Sequence, residues 1–322
     1  MNKDNSQKYI YTYASRREEV SLCAMELRAF FGKEAKIDSH IVESTIKIDP
    51  SRSPFIRERI DVWYEGDSLE SLREQVKNVP FSESTFKVMY IKDEKISDSE
   101  KTGLVERRRI EREIGMCIQG EPDLEKPENI YGVIVVEGRW IFGNYHKSEQ
   151  VWLHHQQKPN DYSTALNTRV ARAVANIAVP DPVGVKVIDP CCGIGTVVVE
   201  ALSMGIDIVG SDVNPLVLPG ARENIAHFGL ACNIAKRDIR EVTEQYDVVI
   251  IDMPYNLCSV ISKEEQLEML QSANRIADKL VVVTIEDIDS LIAEAGFQIE
   301  DRCELKKGKL VRQVIDCRKI IK

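Results

Sequence analysis

Apolar positions along this chain follow two rhythms, and the change between them falls near the middle. In residues 1–150 the short runs alternate or recur at helical spacing. Residues 9–14 (Tyr-Ile-Tyr-Thr-Tyr-Ala) alternate as a half-buried strand does. Val20, Cys23, Ala24, Leu27 and Phe30–Phe31 then share one helical face. Ser15 followed three residues on by Glu18 predicts a capping box in front of that helix. Residues 41–48, 60–64 and 86–91 predict further strands. Residues 103–118 predict a charged helix with Leu104, Ile110, Ile114 and Cys117–Ile118 as its apolar stripe. Residues 131–136 and 139–145 predict a hairpin turning at Glu137-Gly138. This region reads as an α+β domain, mostly antiparallel.

Residues 151–180 form a connection. Its first part is polar and carries Lys158-Pro159-Asn160-Asp161, and a helix follows from Asn167 to Ile177. From 181 to 322 apolar strands alternate with helices. Strands are expected at 185–189, 206–212, 233–236, 246–252 and 280–284, and helices at 194–204, 215–228, 262–277 and 287–295, the second with Pro215 in its first turn. Regular alternation of buried strands with helices implies a doubly wound parallel sheet. Residues 297–305 and 311–318 are separated only by a short basic turn, so they form a hairpin and one of them is reversed. A Rossmann-like, mostly parallel α/β sheet with one reversed strand is the architecture of methyltransferases that use S-adenosylmethionine (AdoMet).

Chemistry-bearing residues fall at the ends of the strands in this second region. Asp189-Pro190-Cys191-Cys192-Gly193-Ile194-Gly195-Thr196 joins the first strand to its helix, at the switch point where open α/β sheets bind ligands. Gly193 and Gly195 allow a tight turn and close approach to a ligand, and the following helix N-terminus suits a carboxylate. Asp189 can accept from an ammonium group. Asp212 ends the second strand, where an acid suits two ribose hydroxyls. Asp238 follows the third, where a carboxylate can accept from an adenine amino group. Cys191, Thr196, Val213 and Ile239 stand beside them as further cofactor-binding candidates. A nicotinamide site would want a third glycine at 198, which is valine. The structural alternative is that these aspartates are caps and turn residues.

Asp252-Met253-Pro254-Tyr255 ends the fourth strand, and these four are the catalytic candidates. An exocyclic amine has its lone pair delocalised into the base ring. Asp252 and a backbone carbonyl can accept from its N–H groups, hold the lone pair toward the methyl group and stabilise the positive charge that develops. Pro254 stiffens the loop. Tyr255 offers a face on which an extruded base stacks.

These four residues resemble the D/N-P-P-Y motif of amino-group methyltransferases, and 189–196 resembles their glycine-rich cofactor motif. The family most similar is the tRNA guanosine-N2 methyltransferases with an N-terminal THUMP domain. Residues 86–91, 106–115 and 130–137 look like a THUMP core, Pro127-Glu128-Asn129 resembles its N-P-D type turn, and Asn167–Arg172 looks like the segment before the cofactor motif. The resemblance implies an AdoMet-dependent enzyme acting on guanine N2 of tRNA. Met253 departs from the pattern, where the family has proline; its backbone carbonyl is retained, but the loop loses stiffness and the pocket wall changes.

Composition adjusts this picture. The formal net charge is −9, shared by both halves, so RNA must meet local basic patches. Arg107, Arg108 and Arg112 on the charged helix, and Lys158 and Arg169 near the second region, are the candidate RNA contacts; Arg109 and Arg172 are further basic residues there, and interleaved Glu106, Glu111 and Glu113 could neutralise the helix. The eight cysteines include no C-x-x-C pair, and His154-His155 has no further ligand at metal spacing, so no metal is expected. The polar N-terminus, the absence of a long apolar run and the unpaired cysteine pattern point to a cytoplasmic protein with no membrane segment. Two other readings stay open: methylation of ribosomal RNA guanine or of adenine N6, and an RNA-binding protein whose methyltransferase fold is inactive.

Overall fold

The computed structural model describes residues 6–35, 37, 40–80, 83–92, 103–162, 165–254, 261–307 and 310–320. In chain order the elements are β1 (Tyr9–Tyr13), α1 (Val20–Phe31), β2 (Ile41–Ser44), β3 (Ile56–Gly66), α2 (Leu69–Val76), β4 (Phe86–Tyr90), α3 (Leu104–Gly115), β5 (Asn129–Val136) and β6 (Arg139–Lys147). There follow α4 (Trp152–His155), α5 (Thr168–Ala178), β7 (Lys186–Asp189), α6 (Thr196–Ser203), β8 (Asp207–Asp212), α7 (Leu218–His227) and β9 (Ile234–Lys236). The chain closes with β10 (Val248–Asp252), α8 (Lys263–Ile276), β11 (Lys279–Thr284), α9 (Asp289–Glu294), β12 (Phe297–Lys307) and β13 (Leu310–Lys319).

The chain divides into two compact units, one of residues 1–14, 34–51 and 55–149, the other of 15–33, 52–54 and 150–322. The first holds a six-stranded sheet in the order β2-β1-β3-β6-β5-β4, antiparallel except for the parallel pair β4–β5. Its hairpin turns at Glu137 and Gly138, both with positive φ (48° and 80°), as a two-residue turn matched to strand twist requires. The apolar stripe of α3, Ile110 and Ile114, packs with Leu72 and Val76 of α2 on Phe86, Val133 and Phe142 of the sheet.

The second unit holds a seven-stranded sheet in the order β12-β13-β11-β10-β7-β8-β9. All pairs from β11 to β9 are parallel, and β13 lies antiparallel between β11 and β12. β10 and β11 read as continuous apolar runs because both faces are covered, with Val249, Ile251, Leu280 and Val282 in one buried cluster. Strand order reverses between β7 and β10, whose carboxyl ends therefore open a crevice. Among the described residues no helix is long and apolar enough to cross a membrane.

α1 sits between two strands of the first unit in sequence, yet packs in the second. Its buried Glu26 accepts from Ser53 Oγ and from Asn176 Nδ2 of α5 (2.7 Å), and Arg28 forms a two-pronged pair with Asp301 of β12 at 2.8 and 2.9 Å. Two local expectations change. No Ser15–Glu18 box forms: a short 3-10 turn over Arg17–Glu19 comes first, and α1 starts behind Glu19 without a side-chain cap. The helix expected from Pro215 begins at Leu218, with Pro219 in its first turn, because Asn214 takes up the loop, its side chain accepting from the Leu216 N–H at 3.0 Å.

Candidate active site

The loop after β7 is wound by its two glycines. Gly193 and Gly195 have φ of 52° and 78°, the left-handed region in which a side chain is strained. Gly195 leads directly into α6. The loop is tied at both ends: the Cys192 N–H donates to Ser211 O at 3.0 Å and the Gly193 N–H to Asp212 Oδ2 at 2.9 Å.

All three aspartates expected at a cofactor brace local backbone, as the structural alternative expected. Asp189 accepts from Cys191 N–H (3.1 Å), Asp212 from Asn214 N–H (2.8 Å) and Asp238 from Arg240 N–H (2.9 Å). Bracing does not exhaust them. A carboxylate has about four acceptor sites. Asp212 uses two, for the Asn214 and Gly193 N–H groups. Asp238 uses three, because the Arg240 guanidinium also grips it at 2.7 and 3.0 Å.

Asp212 and Asp238 line a cavity of about 510 Å³ together with Cys191, Gly193, Val213, Ile239, Asp252, Met253 and Pro254, a size suited to a cofactor. Asp189, Gly195 and Thr196 are not among the residues that line it. Asp189 is buried, and burial, reinforced by the charges of Asp252 and Asp212, pushes its carboxyl well above the usual range. The charges of Asp252 and Asp212 beside it give this end of the sheet a negative potential that favours a cationic ligand.

Asp252 closes β10 beside β7. Its Oδ1 is shielded from water and has no hydrogen-bond partner among the described residues. Burial raises its carboxyl to about 7, against the positive charge of Arg312. Met253 is buried, and its N–H donates to Val283 O at 2.8 Å, continuing the β10–β11 ladder by one bond. Pro254 is exposed. Tyr255 lies outside the described residues. Thr196 Oγ1 is likewise buried without a described partner. AdoMet fits this donor and acceptor set: it carries a positive sulfonium and ammonium for the negative cavity, and Asp212 retains two acceptor sites for its ribose.

Tyr162 belongs to this site and was not among the expected residues. It lines the cavity from the connecting segment. Its hydroxyl stands so close to the glycine loop that a Cβ on Gly193 would fall 2.5 Å from it. The residue as a whole is 42% exposed, but the desolvated surroundings of its hydroxyl and the neighbouring acids Asp212, Asp252 and Asp189 hold the phenol up at about 12, so it remains a neutral donor. Its only sequence signal is an aromatic residue in a polar stretch.

The basic candidates divide. Arg169 is turned inward and is not at the surface: it is buried on α5, its guanidinium paired with Glu19 at 2.7 and 3.1 Å and stacked on Trp152. Arg172 is buried as well, donating to Glu200 at 2.8 Å; the other oxygen of Glu200 meets His155 Nδ1 at 2.8 Å. Both arginines are drawn inward because α5 is buried on nearly every side. Arg109 is neutralised by Glu106 and Glu113. Arg108 and Arg112 are exposed and Arg107 half-buried, and none pairs with a described carboxylate. Lys158 pairs with Asp161 at 3.1 Å.

Fold and site together define an AdoMet-dependent methyltransferase domain in the second unit. Comparison with known proteins agrees: residues 155–289 match the UPF0020 family model, described as an RMKL-like methyltransferase domain. A tRNA (guanine(10)-N2)-dimethyltransferase of Methanothermobacter thermautotrophicus is 26% identical over 93% of this chain and 96% of its own length. The U6 snRNA (guanine-N(2))-methyltransferase THUMPD2 of Mus musculus is 28% identical over 42% of this chain and 27% of its own. Among solved structures, TrmN from Thermus thermophilus covers 97% of this chain and 100% of its own at 17% identity, with a TM-score of 0.48.

Proposed function

We propose that this enzyme transfers a methyl group from AdoMet to the exocyclic N2 of a guanine in tRNA, in the cytoplasm, with the first unit serving as a THUMP-like RNA-binding domain. The observation that carries the reading is Asp252: a shielded carboxylate oxygen without a described partner, on the wall of the cofactor cavity. Such an oxygen accepts from the amine N–H, keeps the nitrogen lone pair in line with the methyl group and takes up the proton released when the new N–C bond forms. Its raised proton affinity suits that last role. Asp212 and Asp238 orient the cofactor's ribose and adenine, and the buried cluster around Met253 excludes water behind the reacting atoms. The named activities of the relatives, both directed at guanine N2, support the choice of base.

The test is tritium transfer from labelled AdoMet to tRNA and to ribosomal RNA, offered separately, followed by digestion and nucleoside mass spectrometry. N2-methylguanosine or its dimethyl form is expected, and Asp252→Ala abolishes it. Label found only in ribosomal RNA or only in methyladenosine would overturn the assignment, as would turnover unaffected by Asp252→Ala.

A further inference from the structure

A second cavity, of about 520 Å³, lies in the same unit and shares Tyr162 with the first as a common wall. Its lining is polar and its charges are unevenly committed. Of its three carboxylates, Glu19 is held by Arg169 and Asp161 by Lys158, leaving Glu18. Against it stand Arg16 and Lys306, both exposed and in no ion pair among the described residues, and Arg312, whose charge also reaches Asp252. The cavity is therefore locally cationic within an acidic chain.

The amino end of α5 opens on the same space. Asn167, its cap, and Thr168, its first residue, both line the cavity. This helix runs eleven residues; the Asn167 side chain accepts from the Arg169 N–H at 2.9 Å, but no acid stands in its first turn to offset its positive end. Thr168 is only 3% exposed, and its hydroxyl has no hydrogen-bond partner among the described residues. A buried hydroxyl without a partner is costly unless a ligand supplies one. A helix amino end, a buried hydroxyl without a described partner and the exposed side chains of Arg16 and Lys306 are together the recognition set for a phosphate.

We propose that this cavity holds a backbone phosphate of the RNA strand beside the nucleotide whose base enters the Asp252 pocket. The inference rests on RNA being the substrate. Tyr162 then marks the boundary between base and backbone, one cavity on either side of it.

The experiment measures binding of unfractionated tRNA to the full chain across a range of salt, with KM, kcat and AdoMet affinity measured in parallel. Arg16→Gln and Lys306→Gln are each expected to raise the RNA Kd and KM roughly threefold to tenfold and to lower the salt slope by about one. Thr168→Val, which keeps the shape of the side chain, is expected to raise the RNA KM while AdoMet affinity holds. Lys186→Gln, a control at the opposite end of β7, should leave the RNA Kd and slope as they are. Wild-type RNA affinity and salt slope in both cation variants would overturn the phosphate site. So would inorganic phosphate that protects wild type but not Thr168→Val against heat, if it competes with no RNA; that result would mark a free-anion site. A wild-type chain that binds no RNA would overturn the substrate reading itself, and is distinguished by failing before any variant is compared.

Discussion

Arg312 supplies Asp252 with the positive charge that favours its ionised form, against a burial that disfavours it. In the proposed reaction the carboxylate is the working form, because it accepts from the amine N–H and then takes up the proton that the nitrogen releases. Activity should therefore rise with pH through about 7, where Asp252 ionises. Arg312→Gln removes the cation, raises the carboxyl further and moves this acidic limb to higher pH. The kcat/KM profile reports free-enzyme ionisations and is the measurement to make. A limb in the same place in both proteins would mean that another group titrates there.

Gly193 and Tyr162 should behave as a coupled pair. Gly193→Ala places a Cβ 2.5 Å from the Tyr162 hydroxyl on a backbone with φ of 52°. AdoMet affinity should fall by about tenfold or more. Tyr162→Phe removes the oxygen that collides, so the double variant should recover part of the loss. Strictly additive effects in calorimetric titration would show that backbone strain alone is responsible.

Met253→Pro restores the residue that the resembling family carries, and should nevertheless destabilise this chain. Proline has no N–H to donate to Val283 O, a bond of 2.8 Å here. The expected cost is about 1–3 kcal/mol in chemical denaturation. Unchanged stability would mean that the loop after β10 re-forms around proline without this bond.

Glu26 provides a stability test away from the chemistry. Burial raises its carboxyl from 4.5 to about 7, in spite of hydrogen bonds from Ser53 and Asn176. A folded pKa above the unfolded one means that the native state holds the proton more tightly. Stability linked to this group is then full below pH 4.5 and declines as pH rises toward 7. Glu26→Gln keeps the shape and removes the titration, so its melting temperature should exceed that of wild type at pH 8, and the gap should close near pH 4. A gap that is independent of pH would assign the effect to packing.

Much of this was legible in the sequence, for local reasons. The reversed strand followed from a turn too short for a parallel crossover, and β13 does run antiparallel to β11. The Glu137-Gly138 hairpin followed from turn chemistry. Asp212, Asp238 and Asp252 followed from acids at strand ends, and all three line one cavity. What escaped depends on contacts distant in sequence. Tyr162 meets the glycine loop from thirty-odd residues upstream, and no periodicity records that. Arg169 looked like a phosphate contact because its partner, Glu19, lies 150 residues away. The Ser15–Glu18 pattern satisfied a local rule that the 3-10 turn overrode.

The placement of α1 has a consequence for inheritance. Its residues are encoded between β1 and β2 of the first unit, yet their buried partners lie on α5 and β12 of the second. A recombination event that carried off residues 150–322 as a cassette would leave behind Glu19, Glu26 and Arg28, stranding Arg169, Asn176 and Asp301. The two halves of this gene are therefore tied together, and the first unit changes at less cost by substitution in place than by exchange of one end of the gene for another.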